Sequence, residues 1–445
     1  MKQRIVILGA GESGVGAAIL AQRQGYDVFV SDAGTIAQRY RDDLDAHAIE
    51  WEEGGHTMAK VLAADEIVKS PGIARTAPVV EAVARQGIAV VSEIEFAGRY
   101  TASRMICITG SNGKTTTTKL TQHILAGAGI DAALAGNVGR SLARQVAEEP
   151  HAVYVVELSS FQLEDMYTFR ADTAVVLNIT PDHLDRYGGS MHAYAAAKLR
   201  ILQNQRPTDH FIYWADDTVL RDELRSATVT AATLPFTDSG TAGCAAAVAD
   251  GVMSITSPQS LVVATSDLAL NGRHNMYNSM AAALAAMTAG ADVTAIKAGL
   301  ASFPGVEHRL EKVGVFDGVT YINDSKATNV DACWYALESM TTPTVLILGG
   351  TDKGNDYEAI REMVRSKCVA LVYLGADNAK LHRFFDPLGL PVADTHSMAD
   401  CVAACKRMAR AGQTVLLSPC CASFDLFHNM AERGRMFKDL VKSGK

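Results

Sequence analysis

Apolar residues come along the chain in short unbroken runs, separated by stretches in which they recur every three or four positions. The first run, Arg4–Leu8, ends in a glycine turn. A helical pattern over Val15–Gln24 follows, and a second run, Asp27–Val30, closes at Asp32. Apolar runs alternating with amphipathic helices predict parallel strands buried on both faces. The rhythm restarts at Arg104, with a strand at Met105–Ile108, a helix from Thr115 to Ala126, and strands at Ala152–Val156 and Thr173–Leu177. Between Ala227 and Leu270 the texture changes. The β-prone runs Thr228–Leu234, Val252–Ile255 and Leu261–Thr265 are split by Gly, Asp, Ser and Pro, which predicts a small antiparallel insertion. The alanine-rich helix Asn278–Ala289 closes this block, and its start His274-Asn275-Met276-Tyr277-Asn278 offers Asn275 and Asn278 as N-caps. A third restart near Phe303 carries strands at Val319–Ile322, Thr344–Leu348, Ala370–Leu374 and Thr414–Leu417.

A chain of 445 residues is too long for one growing core, so the three blocks read as α/β domains at 1–100, 101–303 and 304–445. Composition narrows the function classes. With 48% hydrophobic and 20% charged residues the balance is that of a soluble globular chain. The net charge of −8 argues against a general nucleic-acid or membrane surface, though not against anionic ligands held by local amides and lysines. No stretch is long and apolar enough to span a bilayer. The start Met1-Lys2-Gln3-Arg4 resembles the head of a signal peptide, but Gly9, Gly11, Glu12, Ser13 and Gly14 break the apolar run at once, so a first strand is expected. The eight cysteines form no Cys-x-x-Cys pattern and are expected to be buried, reduced thiols of a cytoplasmic protein.

Two glycine loops compete for the chemistry. Gly9-Ala10-Gly11-Glu12-Ser13-Gly14 satisfies G-x-G-x-x-G between a strand and a helix, with Asp32 where a ribose-binding acid would stand. Alone it suggests a nicotinamide oxidoreductase, yet any nucleotide diphosphate can use the same helix N-terminus. The second loop, Thr109-Gly110-Ser111-Asn112-Gly113-Lys114-Thr115-Thr116, is more specific. Its glycines let successive amides point at phosphate oxygens, Lys114 supplies a cation, and the Thr115 hydroxyl suits Mg²⁺. Ile108 stands where a full Walker loop needs glycine. Glu157 ends an apolar run and is a candidate metal-binding carboxylate opposite that loop.

With these loops the chain resembles the Mur ligases over essentially its whole length. The resemblance rests on the Thr109–Thr116 loop, Lys69-Ser70-Pro71-Gly72-Ile73, Asn323-Asp324-Ser325-Lys326-Ala327-Thr328-Asn329, Gly349-Gly350-Thr351-Asp352-Lys353-Gly354 and Leu417-Ser418-Pro419-Cys420-Cys421-Ala422-Ser423-Phe424-Asp425. It implies a Rossmann-like N-terminal domain, a central P-loop-type mononucleotide-binding domain with the antiparallel insertion, and a Rossmann-like C-terminal domain. The member it points to adds D-glutamate to UDP-N-acetylmuramoyl-L-alanine. ATP phosphorylates the precursor's carboxylate, and the amine attacks the acyl phosphate through a tetrahedral intermediate.

Residue by residue, the resemblance implies that Gly110, Ser111, Asn112, Gly113, Lys114, Thr115 and Thr116 bind ATP, joined by Asn275, Asn278, Arg309 and Asp324. Thr115, Glu157, His183 and Lys198, the last as a carbamate, serve two Mg²⁺ ions, and Lys114, His183 and Lys198 are catalytic. Lys198 by pattern alone reads as an exposed lysine on an amphipathic helix. Ser13, Gly14, Asp32, Ser70, Pro71, Gly72, Asn137, Ser159 and Gln162 face the UDP substrate, and Thr328, Lys353, Ser423 and Phe424 bind D-glutamate. A monomer is expected, with the ATP site between the second and third domains. The competing readings are another amide ligase of the superfamily, including folylpolyglutamate synthase, the nicotinamide oxidoreductase, and a nucleotide sensor without turnover.

Overall fold

A computed structural model describes residues 2–270 and 272–443 of the chain. Met1, Asn271, Gly444 and Lys445, which include the outer ends of the first and last expected domains, lie outside the described residues. The first sheet consists of β1 (Arg4–Leu8), β2 (Asp27–Ser31), β3 (Glu50–Glu52), β4 (Glu66–Lys69) and β5 (Ala89–Ser92). All pairs are parallel, in the order β3-β2-β1-β4-β5. The winding direction reverses between β1 and β4, so the loops after those two strands diverge and leave a crevice at the C-terminal edge. Residues 9–11, with the first turn of helix Glu12–Arg23, follow β1, and residues 70–72 follow β4.

The second sheet has nine strands: β6 (Arg104–Thr109), β7 (Ala132–Gly136), β8 (Val153–Glu157), β9 (Thr173–Val176), β10 (His210–Trp214), β11 (Ala232–Thr237), β12 (Ala246–Ala249), β13 (Val252–Ile255) and β14 (Leu261–Ala264). Their order is β14-β13-β12-β11-β10-β9-β6-β8-β7. The expected antiparallel insertion is present as the pairs β12–β13 and β13–β14, while β11, expected within it, pairs in parallel with both β10 and β12. Leu234 and Phe236 of β11 are buried, so that strand is a covered member of the sheet rather than a flanking ribbon. The turn from β12 to β13 is Asp250-Gly251, both at positive φ (49° and 75°), the two-residue geometry that matches strand twist.

The third sheet contains β15 (Glu311–Phe316), β16 (Val319–Asn323), β17 (Thr344–Gly349), β18 (Cys368–Leu374), β19 (Val392–Thr395) and β20 (Thr414–Cys420), ordered β15-β16-β20-β17-β18-β19. β15 is an antiparallel edge strand that the apolar pattern does not announce, because its residues are only half buried.

Contacts divide the chain into two compact units, Met1–Leu268 with Tyr277–Phe303, and Ala269–Met276 with Pro304–Lys445. The first two sheets therefore share one unit. Helix Glu12–Arg23 packs on helix Leu142–Glu148 so closely that a Cβ on Gly16 would lie 2.1 Å from Ser141 Oγ. The Glu95 carboxylate accepts the backbone N–H groups of Tyr167, Thr168 and Phe169, which anchors the chain after β5 to the second sheet. In the other unit the core is built from Val345, Ile347, Val372, Leu417 and Phe437.

Candidate active site

The phosphate-loop candidate leaves β6 and enters helix Lys114–Gly127. Gly110 (φ 146°) and Gly113 (φ 86°) hold backbone conformations that L side chains disfavour, and a Cβ at Gly113 would also lie 2.3 Å from Asn278 Oδ1. The loop is fastened to the segment after β9. Ser111 N–H donates to the Asn178 carbonyl (2.9 Å), Asn112 N–H to Asn178 Oδ1 (2.8 Å), and Ser111 Oγ to the Thr180 carbonyl (2.8 Å). Asn178 and Thr180 are thus structural partners of the loop. Lys114 Nζ donates to the carbonyls of Gly110 and Ser111, both at 2.8 Å, so its charge stands at the loop. Thr115 and Thr116 are buried in the first turn of the helix.

Lys198 overturns the expectation of an exposed lysine. It is 2% exposed, on helix Met191–Leu199, and its Nζ donates to the Gly110 carbonyl at 2.8 Å. Tyr194, Ala195 and Ala197 are buried beside it, because the helix is packed by small residues rather than by an apolar stripe. Burial, followed by the like charge of Lys114, pushes the Lys198 ammonium well below its usual range, against the opposing pull of Asp182 and Glu157. Glu157 at the end of β8 is 4% exposed, and its Oε2 is buried with no hydrogen-bond partner. An ionised oxygen in that position calls for a cation.

A cavity of about 300 Å³ lies in front of these groups, bordered by Lys114, Lys198, Asp182, His183, Asn137 and Ser159, with Pro71 and Gly72 of the first sheet on its wall. His183 has φ 52°, a strained value for a non-glycine residue. Its Nε2 lies 3.6 Å from Asp182 Oδ2, and its ring meets the Phe161 ring edge-on at 5.4 Å. Asp182 is a cavity residue that motif reasoning passed over in favour of its neighbour. Ser159 caps helix Ser160–Glu164 through a box in which Gln162 Oε1 accepts Ser159 N–H at 2.9 Å. Gln162 is 2% exposed, and its Oε1 also accepts Ser159 Oγ–H at 2.8 Å.

Around the first sheet, a Cβ at Gly14 would sit 1.8 Å from the Gly9 carbonyl oxygen, so only glycine fits there. Asp32 spends its carboxylate on the loops, accepting Ala10 N–H at 2.7 Å and Gly34 N–H at 2.8 Å. Ser70 N–H donates to the Leu8 carbonyl at 2.9 Å, and Ser13 is half buried at the start of helix Glu12–Arg23.

Neither Asn275 nor Asn278 is a helix cap. Both lie inside helix Arg273–Thr288, which starts earlier than the alanine pattern indicates. Asn278 Oδ1 accepts Thr117 Oγ1–H at 3.1 Å, holding it beside the phosphate loop, while Asn275 is 6% exposed.

In the second unit the loops after β16, β20 and β17 emerge from neighbouring strands. Asp324 is 6% exposed and accepts Ser418 Oγ–H (2.9 Å) and Leu310 N–H (3.2 Å), and burial pushes its carboxyl up to about 7. Arg309 is half buried, as is Thr328, whereas Lys353 is exposed, Ser423 is buried and Phe424 is 70% exposed. Arg433, which no motif announced, is 1% exposed and donates to Ser325 Oγ (3.0 Å), the Ser325 carbonyl (2.8 Å) and the Cys421 carbonyl (3.1 Å), tying two of these loops together. All eight cysteines are free, and seven are buried.

A glycine loop with a lysine, a metal-ready carboxylate and a buried amine, gathered at the edge of one mostly parallel sheet, mark a nucleotide-using α/β enzyme. Comparison with known proteins sharpens that class. Residues 3–92 match the Mur ligase MurD-like N-terminal domain, 108–286 the Mur ligase middle domain, and 308–421 the Mur ligase glutamate ligase domain. The chain is 57% identical over 441 residues to the UDP-N-acetylmuramoylalanine–D-glutamate ligase of Bacteroides fragilis, covering 99% of each. It is 55% identical over 446 residues to that of Porphyromonas gingivalis, again over 99% of each. Among solved structures, a pseudomurein peptide ligase type C from Methanothermus fervidus shares the fold, with a TM-score of 0.63 at 19% identity over 100% of both chains. The UDP-N-acetylmuramate–alanine ligase of Thermotoga maritima superposes with the same TM-score, 0.63, at 17% identity over 100% of both. The chain belongs to the Mur ligase family.

Proposed function

We propose that this ligase joins D-glutamate to UDP-N-acetylmuramoyl-L-alanine at the expense of ATP, supplying a precursor of peptidoglycan in the cytoplasm, and that it acts as a monomer with three domains near 1–100, 101–303 and 304–445. The observation that carries the reading is the cavity that gathers Lys114, Lys198, Asp182 and His183 opposite Pro71 and Gly72 of the first sheet. The full-length likeness to D-glutamate ligases supports the choice of substrates.

In this reading residues 110–116 hold the ATP phosphates by backbone amides. Lys114 neutralises charge as the γ-phosphoryl moves to the precursor's carboxylate, with loss of ADP. The amine of D-glutamate then attacks the acyl carbon, and phosphate leaves. Glu157, with its unpartnered buried oxygen, fits a divalent cation, and Thr115, His183 and a carbamylated Lys198 complete the donors for two Mg²⁺ ions. Bound Mg²⁺ would offset the negative charge of the gathered phosphate and carboxylate oxygens. Carbamylation consumes a neutral amine, the form that burial favours at Lys198. Ser13, Gly14, Asp32, Ser70, Pro71 and Gly72 receive the uridine diphosphate end, and Asn137 and Ser159 the span toward the metals. Asn275, Asn278, Arg309 and Asp324 contact ATP, and Thr328, Lys353, Ser423 and Phe424 bind D-glutamate.

The test is ADP release with UDP-N-acetylmuramoyl-L-alanine and each of D-glutamate, L-glutamate and meso-diaminopimelate. Release with D-glutamate alone is expected. Equal turnover with either rival amino acid, or tight NAD(H) binding with no ATP use, sinks the assignment.

A further inference from the structure

Lys69 at the end of β4 and Asp165, just beyond helix Ser160–Glu164, form an ion pair of 3.0 Å whose side chains are 2% and 3% exposed. Lys69 Nζ also donates to the carbonyls of Ser70 (3.3 Å) and Ile73 (2.9 Å). The other carboxylate oxygen of Asp165 accepts Arg75 Nε–H (3.0 Å) and Nη2–H (2.7 Å), and Arg75 Nη2 reaches the Glu164 carbonyl at 2.8 Å. The backbone carbonyl of Asp165 accepts Ser92 N–H from the end of β5 at 2.8 Å.

One buried carboxylate therefore grips both ends of residues 69–75 across two domains of the same unit. The segment it grips carries Pro71 and Gly72, which border the cavity. The short helix that Asp165 follows begins at Ser159 and Ser160, on the same cavity. A buried ion pair adds little stability over an apolar pair of similar volume, whereas it does fix geometry when all its hydrogen bonds are made. Here every contact of the carboxylate runs to the loop that forms one wall.

We propose that Asp165 is a positioning residue. With Lys69 and Arg75 it sets the spacing between the Ser70–Gly72 wall and the Ser159 turn, and so governs affinity for the uridine-nucleotide precursor rather than the transfer of phosphate. The inference rests on the reading that residues 70–72 contact that precursor.

Steady-state kinetics of the full chain test it. Asp165→Asn keeps the volume but leaves Lys69 and Arg75 facing a neutral group. The KM for UDP-N-acetylmuramoyl-L-alanine is expected to rise about tenfold, with kcat and the KM values for ATP and D-glutamate within about twofold. Arg75→Met, at a side chain that is 51% exposed, is expected to show the same pattern at about threefold. It decides the matter if Asp165→Asn does not fold. Unchanged precursor KM, or equal rises for all three substrates, overturns the proposal. Calorimetric titration of the precursor into the native chain separates the two layers. No binding there defeats the reading of residues 70–72 and the clamp with it, while native binding that Asp165→Asn matches defeats the clamp alone.

Discussion

The chain uses a glycine-rich strand-to-helix turn twice, and the two turns are built to opposite electrostatic ends. The turn after β1 is closed by an acid: Asp32 accepts the Ala10 N–H, and Glu12 opens the following helix. No lysine stands in it. The turn after β6 is closed by neutral groups, Asn178 and Thr180, and two lysines lean on its carbonyls, Lys114 and the buried Lys198. Glycine supplies the same backbone freedom in both. The difference lies in what surrounds the curl: in the proposed reading the first offers amides to a diphosphate and an acceptor to uridine, and the second concentrates positive charge for a phosphoryl group in transit.

Removing the cation of the second turn should have the largest effect. Lys114→Ala is expected to lower kcat by about a thousandfold, since its contact strengthens as charge migrates, with a smaller change in precursor KM. Lys198→Ala should follow, at about a hundredfold in kcat. Intact mass of the native chain should show a carbamate that responds to CO₂, and activity should depend on bicarbonate when bicarbonate is limiting. If neither responds, the carbamate assignment fails. Asp32→Ala, at the first turn, is expected to raise the precursor KM about tenfold while leaving kcat within about twofold. A fall in kcat equal to that of Lys114→Ala would erase the distinction between the turns.

The smallest effect concerns the base of the first turn. Glu93 is wholly buried near Glu12, accepts Ser141 Oγ–H (2.7 Å) and Ala143 N–H (2.6 Å), and leaves Oε2 without a partner. Burial raises its carboxyl from 4.5 to about 7, with the charge of Glu12 acting in the same direction and these hydrogen bonds opposing it. The folded chain thus keeps a proton that the unfolded chain releases, so its contribution to stability is full below about pH 4.5 and is lost as pH rises through 7. Glu93→Gln should remove that loss, and the two unfolding profiles should diverge by on the order of 2 kcal/mol between pH 5 and 8. Parallel profiles would show that Glu93 is ionised throughout.

Much of the second turn was legible in the sequence, because glycine at 110 and 113 and lysine at 114 answer to local backbone geometry. The parallel sheets were legible for the same reason, as unbroken apolar runs. What escaped depends on neighbours distant in the chain. Tyr-Ala-Ala-Ala-Lys reads as a wet helix, and only packing against the phosphate loop buries Lys198. Asn275 and Asn278 look like caps until the helix is seen to begin at Arg273. Asp165 and Arg433 carry no motif, and each acts through loops that sequence separates by many residues. β11 looked like part of the insertion because turn residues set it off from its neighbours, yet it pairs in parallel with β10 and β12.

The central claim is that the second turn activates the precursor's own carboxylate. Precursor labelled with ¹⁸O in that carboxylate tests it directly, by mass analysis of the inorganic phosphate released with D-glutamate. The account predicts one ¹⁸O transferred to each phosphate. Phosphate free of label, formed alongside the amide product, would contradict it.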